Sequence, residues 1–87
     1  MIDLTHIAQI AIEDASKIAL TGNGETRASL TRYRVLRLLG NYTVPELRAA
    51  LTQTEQVTER QRLGRALRKD DYVQLLAAKV LVENVEG

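Results

Sequence analysis

The chain has 87 residues, 45% of them apolar, with no Phe, no Trp and no cysteine. That length is below the roughly 100 to 150 residues of an ordinary domain and leaves room for one core, so a single helical domain over residues 1–87 is expected. The missing cysteines exclude disulfides, thiolate zinc sites, iron–sulfur clusters and cysteine nucleophiles, and they fit a reducing compartment. The net charge of +1 conceals a segregation. Residues 1–26 carry −3, residues 27–69 carry +7 from ten bases against three acids, and residues 70–87 carry −3.

The first element is a helix from Leu4, capped by Asp3. Leu4, Ile7, Ala8, Ala11, Ala15, Ile18 and Ala19 recur at helical spacing, with Gln9, Glu13, Ser16 and Lys17 on the other side. It is expected to stop at Thr21-Gly22-Asn23-Gly24, where glycine and asparagine accept the positive φ of a helix end. Met1-Ile2-Asp3-Leu4 opens with an acid where a secretory signal has bases, and no stretch reaches the 18 or more apolar residues of a membrane span. A cytoplasmic protein without a membrane partner is the expectation.

Arg27–Leu39 reads as a second helix. Leu30, Tyr33, Val35, Leu36, Leu38 and Leu39 are spread around its wheel with arginines between them, which suits a central or interfacial position. Tyr33–Leu39 also reads as a short buried strand. Gly40-Asn41 ends the element.

Thr43-Val44-Pro45-Glu46 is a helix start on three counts: a capping threonine, a glutamate three residues on, and a proline in the first turn. Val44, Leu47 and Leu51 form that helix's short apolar stripe. Thr52-Gln53-Thr54-Glu55 repeats the capping pattern and opens a helix expected to run to about Lys69. Val57, Leu63, Ala66 and Leu67 would form its seam, and Arg62, Arg65, Arg68 and Lys69 a basic ridge on the opposite face. Asp70-Asp71 would end that helix and start the last, because acids favour a helix N-terminus and disfavour a C-terminus. In the last helix Tyr72, Val73, Leu76, Ala77, Val80, Leu81 and Val85 follow helical spacing, although Val80-Leu81-Val82 keeps a strand open there.

The expected fold is therefore all-α: a compact bundle of four to five short helices, with a second half of helix-turn-helix character. Thr43–Lys69 has the order of that motif, a short capped helix, a polar turn and a basic helix able to enter a major groove. Thr52 stands where the motif's turn has glycine, and Thr58 and Gln61 where it buries apolar residues, so a longer turn is needed.

Catalysis is poorly supplied. His6 is the one histidine, Glu13-Asp14 and Asp70-Asp71 are neighbours that diverge by about 100° on a helix, and the glycines at 22 and 24 lack the lysine of a phosphate loop. No cofactor, metal or catalytic residue is expected, and the protein is not read as an enzyme. The basic middle is better equipped, since nine of the twelve bases are arginine, the side chain suited to bidentate phosphate contacts. The leading expectation is a DNA-binding, transcription-regulating protein that touches duplex DNA through Arg60, Arg62, Arg65, Arg68 and Lys69, with Arg34 and Arg37 added from the second helix. The alternative is a protein-interaction module, an oligomeric adaptor or small inhibitor docking its arginines on an acidic protein surface. A third outcome of the charge pattern is that the acidic ends fold back and neutralise the middle. A homo-oligomer, most simply a dimer, is expected because so small a domain buries only about 60 to 65% of its unfolded surface.

Overall fold

The structure, a computed structural model, describes residues 2–18 and 24–83. Five helices follow in order: α1 Leu4–Ile18, α2 Gly24–Leu39, α3 Val44–Ala49, α4 Gln53–Leu63 and α5 Lys69–Leu81. Asp3 caps α1 as expected, its Oδ1 accepting the His6 N–H at 3.1 Å. The predicted stop of this helix at residues 21–23 lies outside the described residues. Gly24, assigned to that turn, is instead the first residue of α2. Both segments left open to strand, Tyr33–Leu39 and Val80–Val82, lie in or at the end of helices, and Val85 lies outside the described residues.

Helices α1 and α2 pack on each other, and α5 lies across both and against α3. Ala8, Ala11 and Ala15 on α1 are 2%, 0% and 1% exposed, short enough to let α2 come close, where Thr31, Val35 and Leu39 face inward at i, i+4 spacing. Tyr72, Val73, Leu76, Ala77, Val80 and Leu81 of α5 join the same cluster, and Leu47 and Leu51 close it from α3. A core of short aliphatic side chains is how the chain dispenses with Phe and Trp.

Both capping boxes form. Thr43 Oγ1 accepts from Glu46 N at 3.4 Å and Glu46 Oε1 accepts from Thr43 N at 3.0 Å. At α4 the corresponding distances for Thr52 and Glu55 are 3.1 Å and 2.9 Å. Each box satisfies two amide groups that a helix start would leave unpaired.

The fourth helix departs from expectation. It stops at Leu63, six residues short of Lys69, because Gly64 takes the left-handed conformation (φ 71°) of a helix C-cap and its N–H returns to the Arg60 carbonyl at 2.9 Å. Arg65–Arg68 then form a connection, and Lys69 is the first residue of α5. The expected seam dissolves with it: Leu67 packs on the core from the connection, Ala66 is exposed, and α4 contributes no buried residue at all. Thr58 and Gln61, at positions a helix-turn-helix would bury, are exposed.

With the core elsewhere, α4 is held by polar ties. Gln56 Nε2 donates to the Arg48 and Leu51 carbonyls, each at 3.3 Å, and Lys79 Nζ on α5 reaches Glu55 Oε1 at 3.4 Å. No described helix is long and apolar enough to cross a membrane.

Candidate functional site

The fold sorts the basic residues into those with carboxylate partners and those without. Arg34 Nε meets Asp14 Oδ2 at 2.8 Å, a pair that ties α2 to α1. Arg62 is held by Glu59 one turn earlier on α4. Arg65 grips both oxygens of Asp71 at 2.6 and 3.0 Å and donates to the Ala66 carbonyl at 3.0 Å, folding the 64–68 connection back on α5. Asp71 Oδ2 also accepts the Arg68 N–H at 2.7 Å, so the acid secures the connection and the start of α5 together. The Arg65 guanidinium first, and then the Arg68 N–H, hold the Asp71 carboxyl down at about 2. Glu55 is likewise lowered, by the Thr52 N–H of the capping box above all, with the Lys79 ammonium adding to it.

The expected ridge is therefore absent. Arg62 lies on α4, Arg65 in the connection and Arg68 at the N-cap of α5, and the first two are claimed by acids. The acidic termini do fold back in part: Asp14 and Asp71 neutralise Arg34 and Arg65 of the basic middle.

Of the remaining cations, Lys17, Arg32, Arg37, Arg48, Arg60, Arg68 and Lys69 are exposed and have no carboxylate partner among the described residues. Two clefts gather four of them. Arg48 and Arg60 line a cleft of about 320 Å³ with Gln53, Gln56, Leu67 and Tyr72. Arg48 is oriented there by Tyr72, its Nε 3.4 Å from the phenol oxygen and its guanidinium carbon 5.7 Å from the ring centre. Arg37 and Lys69 share a second, more open cleft of about 680 Å³ between the end of α2 and the start of α5. Arg37 lies over the Tyr33 ring at 5.8 Å, with a 3.3 Å hydrogen bond to its hydroxyl.

Of the residues singled out from the sequence, Arg60 thus stands in the first cleft, Arg37 and Lys69 in the second, and Arg68 beside Asp71, while Arg34, Arg62 and Arg65 serve internal pairs. Arg48, Gln53 and Gln56 were not singled out. Arg48 and Arg60 are twelve residues apart on different helices, and no periodicity connects them. Among the described residues no three acidic or histidine side chains gather to hold a metal ion.

Fold and site define a small all-α bundle that displays one polar helix beside a cationic cleft. Family models, curated proteins and solved structures yield no significant match to the chain.

Proposed function

We propose that the protein binds duplex nucleic acid through α4 and the Arg48/Arg60 cleft, without a reaction of its own. The observation that carries this is the pairing of a helix that buries nothing with two unclaimed guanidiniums converging at its flank. An α-helix fits the major groove of B-DNA only if its outer face is free, and phosphates are best held by arginines not already spent on carboxylates. Along α4, Thr54, Thr58 and Gln61 fall within an arc of about 60° at 100° per residue, all exposed. Hydroxyls and amides in that position suit base edges, while Arg48 and Arg60 beside them, with Arg68 in the following connection, suit the backbone. The difference from the sequence expectation lies in the contact set: Arg60 is kept, Arg48 joins it as a principal phosphate ligand, and Arg62 and Arg65 drop out because each is held by an acid.

The test is titration of a fluorescent random-sequence duplex at about 50 mM salt, where phosphate contacts are strongest. Binding that weakens steeply as salt is raised is the expected result. A protein that ignores the duplex under those conditions overturns the proposal and leaves the cleft to an acidic protein surface.

A further inference from the structure

The cleft between the end of α2 and the start of α5 takes no part in the proposed duplex contact, and its polar side chains are largely unspent. Tyr33, Leu36 and Arg37 wall it at i, i+3 and i+4 spacing on α2, and Lys69 and Val73, four residues apart, line it from α5. Its volume of about 680 Å³ is twice that of the Arg48/Arg60 cleft, at about 320 Å³, and lies within the range of ordinary small-molecule sites. In the cleft between α4 and α5, by contrast, Glu59 is paired with Arg62 and Asp71 with Arg65. Here the side chains of Lys69, Asp70 and Gln74 make no hydrogen bond or ion pair among the described residues.

Arg37 does make a contact, and that contact orients it. Its Nη1 donates to the Tyr33 hydroxyl at 3.3 Å, with the guanidinium over the ring. The Nε and Nη2 edge, the pair of parallel N–H groups that grips a carboxylate, is left without a partner. Lys69 adds a second cation and Asp70 one anion, so the cleft carries 2 − 1 = +1. The same cleft has an apolar lining, in which Leu36 is half-buried, Val73 is buried and the Tyr33 side chain is 58% exposed. One excess positive charge suits a monoanion, whereas a dianionic phosphate would set its second charge against Asp70.

We propose that this cleft binds a carboxylate with a hydrocarbon tail, the anion gripped by Arg37 and Lys69 and the tail laid on Leu36, Val73 and the Tyr33 ring. The proposal is independent of nucleic-acid binding, since the cleft shares no residue with α4 or with the Arg48/Arg60 cleft.

Heteronuclear NMR titration of the full chain with octanoate tests it, beside octanol and acetate, each of which lacks one half of the match. Octanoate is expected to bind with a Kd of about 1 mM, reasonable for so small a ligand on an open site. Its shifts should centre on residues 33–41 and 69–74. Octanol forfeits the charged hydrogen bonds and acetate the buried methylenes, so each should move the same resonances little at equal concentration. Arg37→Gln is expected to weaken octanoate roughly tenfold by removing the bidentate contact. Asp70→Asn relieves the one repulsion in the cleft and is expected to tighten octanoate about threefold, a gain that a damaged fold would not produce. An octanoate titration without saturable shifts up to about 10 mM overturns the proposal. So do octanol matching octanoate, shifts centred outside the cleft, and an affinity left unmoved by Arg37→Gln, or by Asp70→Asn should Arg37→Gln not fold.

Discussion

Replacing Arg48 and Arg60 together by alanine isolates the charges that the fold leaves unclaimed. Each phosphate contact to B-DNA contributes about 0.9 to the slope of log affinity against log salt, so losing both is expected to flatten that slope by about 1.8. Between about 50 and 200 mM salt, a fourfold change, the variant then loses roughly tenfold less affinity than the wild type. The control is Arg34→Ala with Arg62→Ala, which removes the same formal charge from guanidiniums already held by Asp14 and Glu59. Its slope is expected to stay close to that of the wild type. Fluorescence anisotropy of a labelled random duplex, measured for the three proteins across the salt series, gives the slopes directly. Equal flattening in both double variants refutes the reasoning, because the protein would then be answering to net charge and not to which arginines are free. No change in either removes the cleft from the interface.

Leu76→Ala opens a void at a fully buried position shared by α5 and the rest of the core, and should lower stability by about 3 kcal/mol in urea unfolding. Thr52→Ala removes a cap, typically about 1 kcal/mol, from a helix that buries nothing. Its effect is expected as faster amide hydrogen exchange confined to α4, with the global urea midpoint unmoved; a shifted midpoint would mean that α4 unfolds only with the core. Asp71 has a folded-state value lowered from 3.8 to about 2, so its contribution is present in full above 3.8 and is lost as pH falls from there through about 2. A carboxyl NMR titration at pH 3 should find Asp71 still ionised and the 64–68 connection intact, whereas a midpoint near 3.8 would show that the Arg65 clamp does not form in solution.

The sequence by itself determined whatever depends on near neighbours along the chain. Thr43 with Glu46 and Thr52 with Glu55 close their boxes because a three-residue spacing brings hydroxyl, carboxylate and amide together at any helix start, whatever packs above it. The stripes of α1 and α5 were legible because burial of one helical face repeats every 3.6 residues. The stop at Gly64 was legible in principle, since a glycine six residues before an acidic pair marks a C-cap followed by a new N-terminus, but the basic periodicity running through it argued for continuation.

Tertiary structure alone decided which arginines are available. Asp14 lies twenty residues from Arg34, and Arg48 twelve from Arg60 across a turn, so neither the neutralised pair nor the shared cleft follows from spacing. A helix wheel counts charges, but charges find partners through space, and the nearest carboxylate after folding is set by how the helices pack. For this chain that sorting replaced an apparent ridge of four bases with two claimed arginines, a cleft centred on Arg48 and Arg60, and a pair of cations, Arg37 and Lys69, beside Tyr33 between the end of α2 and the start of α5.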